Sequence, residues 1–281
     1  MMELPLEELV QLVKDGHKKA LETLILRTQD HVYGLALRML GNPADAEDAA
    51  QEILIKIVTR LDSFRGESKF TTWSYRVAAN HLLTTRKRLA EKSAMSFEEH
   101  LEWVDRELSA GRPDPRPDIE WELVKREARL LCIQSILLCL NRPLRIVYIL
   151  SDVFDLNSRD GAYVLEIKPT AYRKRLSRAR EILLAFMSEH CGFINAENRC
   201  RCDRAAPLAV RAGAIDPDRL TYSQHPHRGR EQELPLDYLE QLDALQRLAT
   251  LFKSHPDYVA PDTCLGTLRD LIGHGRIVYF Q

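Results

Sequence analysis

Residues able to do chemistry fall in three places along the 281-residue chain. The first is His190-Cys191 followed by Cys200-Arg201-Cys202. Three thiols and an imidazole at this spacing can supply four tetrahedral zinc ligands. They equally suit reduced, unliganded cysteines, or thiols that oxidise once a metal leaves. The second is Trp73, Arg76, Asn80, Thr84 and Lys87, which helical spacing places on one face. An aromatic ring to stack a base, an amide, and cations for phosphate are what a single nucleic-acid strand requires; a half-buried Trp73 and cations answering a helix dipole fit the same residues. The third runs from Lys168 to Arg180, with six basic residues and no acidic one. Its Thr170, Arg173, Lys174, Ser177 and Arg178 share a side, suited to a DNA major groove or simply to solvent. His225-Pro226-His227 reads as a solvated loop. No Ser/His/Asp set, Gly-rich phosphate loop or paired acids stand at a suggestive spacing, so a binding protein is expected rather than an enzyme.

The elements that must position these residues are helical. Gly and Pro are scarce up to residue 90 and between 119 and 187, apolar residues recur at three and four, and no strand-like alternation of useful length appears. Pro43 opens one helix, with Asp45, Glu47 and Asp48 in its first turns. Its Ala46, Ala49, Ala50, Ile53, Ile57 and Leu61 form a core stripe. Asp45, Asp48 and Glu52 lie on another face beside Gln51 and Ile55. The stretch from Ser63 to Trp73 reads as a loop entering a second helix capped by Thr71 or Thr72, with Tyr75, Ala78, Ala79 and Leu82 inward. Asn157 caps a short helix that ends near Leu165. Pro169 opens the next, whose Tyr172, Leu176, Ala179 and Leu183 form its core stripe, so the pair fits a helix-turn-helix.

The formal charge is −1, which argues against a strongly basic nucleic-acid binder until it is resolved by segment. Residues 96–123 hold three basic and nine acidic residues, whereas 124–187 hold twelve and six. Neutrality is a cancellation. Three prolines between Pro113 and Pro117 favour extended chain, and 91–118 reads as an acidic linker. The expected domains are 1–90, 119–187 and an extension, 188–281. In the extension, Leu236, Leu239, Leu242, Leu245, Leu248 and Phe252 predict one amphipathic helix and Pro261 to Ile272 another. There is no run of eighteen apolar residues and no basic-then-apolar leader, so a cytoplasmic chain with reduced thiols is expected.

The order of motifs resembles a known family. Asp45-Ala46-Glu47-Asp48-Ala49-Ala50-Gln51-Glu52, Leu61-Asp62-Ser63-Phe64-Arg65-Gly66, Phe70-Thr71-Thr72-Trp73 and Arg76-Val77-Ala78-Ala79-Asn80 resemble region 2 of bacterial RNA polymerase sigma factors. The nearest type is the extracytoplasmic-function (ECF) group. Leu140 to Leu184, above all Arg173-Lys174-Arg175-Leu176-Ser177-Arg178-Ala179-Arg180, resembles region 4. The resemblance implies an all-α fold of two small helical domains, joined by the acidic linker in place of region 3 and followed by a helical extension. It implies that Asp45, Asp48, Gln51, Glu52 and Ile55 dock on the clamp helices of the polymerase core. Phe64, Arg65, Lys69, Phe70, Thr71, Thr72, Trp73, Arg76, Asn80 and Lys87 would capture and hold the −10 strand. Lys168, Thr170, Arg173, Lys174, Ser177 and Arg178 would read the −35 duplex. Partners are then core polymerase, promoter DNA, and either an anti-sigma factor or the extension acting as the chain's own regulator. No cofactor is required, with structural zinc at His190, Cys191, Cys200 and Cys202 as the open option. The rival readings are a plain helix-turn-helix regulator and a metal or redox sensor without polymerase docking.

Three positions depart from the pattern. Glu166 stands where the turn usually has Gly, and left-handed backbone there costs a non-glycine residue about 1 kcal/mol or more. Gly161 replaces an apolar residue, which predicts weakened packing onto the second helix. Asn141-Arg142-Pro143 shifts the usual Leu-Pro entry.

Overall fold

The computed structural model describes residues 3–84, 96–109, 119–228, 241–263 and 266. The chain divides into two compact units. One comprises 1–86, 156–172 and 257–281; the other, 87–155 and 173–256. The described residues are overwhelmingly helical, and extended structure is confined to the two-residue strands β1 (His227–Arg228) and β2 (Asp257–Tyr258) and a single bridge at Cys191 and Cys200. No described helix is long and apolar enough to cross a membrane.

The first unit is built on α1 (Leu6–Lys14), α2 (Lys18–Leu40), α3 (Pro43–Thr59) and α4 (Phe70–Thr84). Helix α2 ends because Gly41 turns left-handed at φ 75° and its N–H returns to the Leu37 carbonyl at 2.7 Å. Asn42 then accepts the Asp45 N–H at 3.1 Å, and Pro43 begins α3. The stripe of Ala46, Ala49, Ala50, Ile53, Ile57 and Leu61 is buried as its spacing predicts, with Leu54 and Val58 buried beside it. Neither Thr71 nor Thr72 caps α4. The helix starts at Phe70, whose N–H is taken at 2.9 Å by the Glu7 carboxylate on α1, so a side chain from another helix does the capping.

The same unit holds α8 (Ser158–Val164) and the first turn of α9 (Pro169–His190). Asn157 accepts the Arg159 and Asp160 N–H groups at 2.9 and 3.0 Å, as expected of the cap. Gly161 does not weaken the packing. A Cβ there would lie 2.2 Å from the Tyr172 ring, so the glycine makes room for a buried tyrosine that fills the space itself.

In the second unit, part of the stretch read as linker, residues 97–109, is helix α5 (Phe97–Ser109) and packs against α10 (Cys202–Arg211). The proline run lies outside the described residues. Helix α6 (Ile119–Cys139) is followed by α7 (Arg142–Tyr148), which widens through a π turn at Ile149–Val153. The shifted proline is accommodated because Asn141 caps α7, accepting the Leu144 N–H at 3.1 Å. Arg145 donates to the Leu137, Leu138 and Leu140 carbonyls at 2.8, 2.6 and 2.7 Å, closing the end of α6. Burial and the neighbouring Arg142 lower its pKa to about 10, so it stays charged at neutral pH.

The extension up to residue 256 is woven into this unit. Ala206 and Ala209 of α10 pack with Val124 and Ala128 of α6, joined by Ile215 and Leu220. Buried Glu127 accepts the N–H groups of Thr221, Tyr222 and Ser223 at 2.7–3.0 Å, together with the Ser223 hydroxyl at 2.9 Å. In α11 (Ala244–Lys253), capped reciprocally by Asp243 and Gln246, Phe252 meets Tyr148 edge-on at 5.2 Å. The predicted apolar stripe is only partly realised. Leu248 and Phe252 are buried, Leu245 is exposed, Leu242 precedes the helix, and Leu236 and Leu239 lie outside the described residues, as does most of the second predicted helix.

Candidate nucleic-acid interface

Three surfaces and one thiol cluster gather the chemistry-bearing residues. On α3, Asp48 and Glu52 are exposed, and Asp45, Gln51 and Ile55 are partly so. They lie away from the buried alanine and isoleucine stripe, forming an acidic strip with one apolar side chain in it. Glu52 reaches to 3.7 Å from His81 of α4, whose other ring nitrogen meets the Lys56 amine at 2.5 Å.

Beside this strip, the loop after α3 packs Phe64 against Phe70 and Trp73, with ring centroids 5.5 and 5.7 Å away. This arrangement corrects the placing of Trp73 on an exposed face: Phe64, Phe70, Thr72 and Trp73 are all buried. The reason is that α4 is enclosed nearly all round, so its apolar pattern has little contrast between faces. What remains accessible is a rim. Arg65, Lys69 and Asn80 are exposed, Thr71 and Arg76 partly so. A cavity of about 360 Å³ opens between Arg60, Arg65, Trp73, Arg76 and Asn80. That volume lies in the range of small-molecule sites and is large enough for a planar base. Lys87 lies outside the described residues.

Tyr163 also lines this cavity, and the Arg76 guanidinium lies 5.1 Å from its ring centre. The second tooth of Arg76 pairs with the Glu166 carboxylate. Glu166 has φ 54°, so the turn keeps the left-handed conformation that suits glycine, and the side chain glycine would lack is spent on Arg76. Nothing in the local sequence around Glu166 signals Arg76, ninety residues earlier, as its partner.

On α9, Tyr172, Leu176, Ala179 and Leu183 are buried as predicted. Thr170, Arg173, Lys174, Ser177 and Arg178 are exposed, and Lys168 is exposed just before the helix. Glu181 accepts from Ser177 at 3.0 Å and Arg178 at 3.4 Å. Arg180 instead turns inward to a two-point pair with Asp152 at 2.9 and 2.5 Å. The outer face from Arg173 to Arg178 is therefore polar and basic, while its inner edge is pinned.

Of the residues predicted to ligate metal, Cys191 and Cys200 form a backbone bridge and Cys202 lies within electrostatic reach of both, while His190 is engaged elsewhere. Its ring lies 4.9 Å from Phe186, with the Glu189 carboxylate 3.7 Å away. A thiol not foreseen, Cys132 of α6, lies within electrostatic reach of all three. Burial pushes each of these thiols up, Cys200 to about 11, while the Phe193 and Ile194 N–H groups pull Cys191 partly back. Among the described residues no group of three or more His, Cys, Asp or Glu side chains is arranged to hold a metal ion.

The sigma-70 region 2 family matches residues 24–91, and the sigma-70 region 4 family matches 130–183. The RNA polymerase sigma-H factor of Pseudomonas aeruginosa is 30% identical over 179 residues, covering 63% of this chain and 91% of its own. The ECF RNA polymerase sigma-E factor of Escherichia coli is 30% identical over 177 residues, covering 62% and 90%. The solved sigma factor RpoE, bound to the anti-sigma factor NepR from Bartonella quintana, overlays with a TM-score of 0.39 at 19% identity, covering 58% of this chain and 94% of its own.

Proposed function

Because the chain belongs to the ECF group of RNA polymerase sigma factors, we propose that it works as a dissociable specificity subunit through the three surfaces described above. It binds core polymerase, directs it to particular promoters and helps open the −10 region. Polymerase docking, which a plain helix-turn-helix regulator lacks, sets it apart from that rival. In this reading the α3 strip of Asp45, Asp48, Gln51, Glu52 and Ile55 meets the core. Arg65, Lys69, Thr71, Arg76 and Asn80 hold the −10 strand directly, and Phe64, Phe70, Thr72 and Trp73 hold the loop in shape from below. The exposed α9 residues, with Lys168, read the −35 duplex.

The observation that supports this most is the base-sized cavity behind the loop, rimmed by cations and an amide. Extruding a base costs a few kcal/mol, and a preformed pocket with phosphate contacts offsets that cost. The test is co-purification with core polymerase followed by run-off transcription and permanganate footprinting. Asp48→Arg with Glu52→Arg should abolish core binding. Asn80→Ala should keep core binding and lower open-complex yield; loss of core binding instead would mean that Asn80 is structural.

A second element of the reading concerns the extension. The Ala260 N–H donates to Asp30 of α2 at 3.0 Å, and the Thr263 hydroxyl bonds Glu47 of α3, next to the docking strip. We read this as self-regulation, in which the extension's end competes with core polymerase. Removing 261–281 should raise core affinity, measured by fluorescence anisotropy; an unchanged affinity removes the idea. Promoter recognition needs no cofactor. The extension's Cys191, Cys200 and Cys202 offer soft ligands for a structural zinc ion.

A further inference from the structure

We propose that Cys132, Cys191, Cys200 and Cys202 form a four-thiolate site for a soft divalent cation of the zinc class, and that this site bolts the extension to α6. The proposal rests on the reading of the extension as a metal holder and changes its fourth ligand from His190 to Cys132.

Three elements bring the thiols together. Cys191 ends the helical stretch of α9 and bridges to Cys200, with the Gly192 N–H donating to the Cys200 carbonyl at 2.9 Å. The loop between them is held from inside. The Asn198 amide donates to the Ser188 and Cys191 carbonyls at 2.9 and 3.2 Å, and the Ile194 and Asn195 N–H groups return to the Cys191 carbonyl at 3.1 and 3.0 Å. Cys202 opens α10, one turn before Ala206. Cys132 lies one turn after Ala128 on α6, and the alanine contact between the two helices carries the thiols toward each other.

The surroundings suit a metal thiolate. A divalent cation with four thiolates is dianionic. The Arg129 guanidinium lies within electrostatic reach of Cys202, and its buried Nε has no hydrogen-bond partner. All four candidate ligands are soft sulfurs, which select zinc-class ions over magnesium or calcium. Closing the site requires the cysteines to turn about their single side-chain torsion. His190 is engaged with Phe186 and Glu189 and is left out. Cys139, seven residues along α6 and bonded to the Ser135 carbonyl at 3.3 Å, is an internal control.

The experiment is native mass spectrometry of the full chain purified with zinc, followed by cobalt(II) replacement and absorption spectroscopy. The wild type should carry one metal ion, with charge-transfer intensity for four thiolates. Cys132→Ser and Cys202→Ser should each weaken metal binding about tenfold or more, while His190→Ala and Cys139→Ser leave it unchanged. Cys132→His keeps a ligand at the site; it should retain cobalt with the intensity of three thiolates, so the proposal does not hang on whether the serine variant folds. Metal retained by Cys132→Ser and lost by His190→Ala overturns the Cys132 assignment alone. A metal-free wild type, or a Cys191–Cys200 disulfide in its place, overturns the metal reading altogether, and run-off transcription reports on the sigma activity independently of both.

Discussion

At Glu166 a strained backbone and an ion pair meet in one residue. The left-handed φ costs about 1 kcal/mol, and a pair with both partners this exposed returns about 0–1 kcal/mol. The two nearly cancel, so Glu166→Gly should leave stability within about 1 kcal/mol of wild type while freeing Arg76. Binding of a single-stranded −10 oligonucleotide, followed by anisotropy, should tighten several-fold; no change would mean that the pair does not restrain Arg76. Gly161 carries the opposite expectation. Gly161→Ala pushes a methyl into the Tyr172 ring and should cost about 1–3 kcal/mol in urea unfolding, with Tyr172→Leu relieving much of it. Glu127 is more sensitive still, because its carboxylate satisfies three backbone donors and a hydroxyl in a buried setting. Glu127→Ala should cost about 3–5 kcal/mol, read from the same denaturant curve.

Among the elements, what could be read from the sequence was what local chemistry determines. The α3 stripe, the Asn157 cap, Pro169 at the start of α9 and the Tyr172 to Leu183 stripe follow from spacing and capping within one helix. Asn157→Ala should accordingly loosen α8 by about 1 kcal/mol and weaken duplex binding. What could not be read depends on partners far along the chain. The burial of Trp73 follows from neighbours packed around most of α4. The cap of α4 is Glu7, from a different helix. Helix α5 is not legible locally, because dense acids around Phe97, Leu101 and Val104 look like linker until a packing partner exists. Cys132 joins the other thiols only through the α6 and α10 pairing, a contact that no local spacing encodes.

For the whole molecule, the near-zero charge conceals surfaces of opposite sign, a basic α9 face and an acidic α3 strip. Acidic parts oppose phosphate, so the free chain should bind promoter duplex weakly and gain affinity when core polymerase covers them. The extension sharpens this picture. The sigma-70 region 4 match ends at residue 183, which invites cutting the chain after Ser188 to obtain a minimal factor. In this chain that cut would strip α10 from Val124 and Ala128, leave Glu127 buried without its donors or newly wet, and uncover Tyr148 where Phe252 packs. The truncated protein should therefore unfold at lower urea and tend to aggregate, losing −35 duplex binding through instability. Cutting before Pro261 removes none of these contacts and should leave the denaturant midpoint close to that of the full chain. If instead the Ser188 truncation folds as stably as the full chain and transcribes as well, the extension is an appendage, and the packing on α6 contributes nothing that region 4 needs.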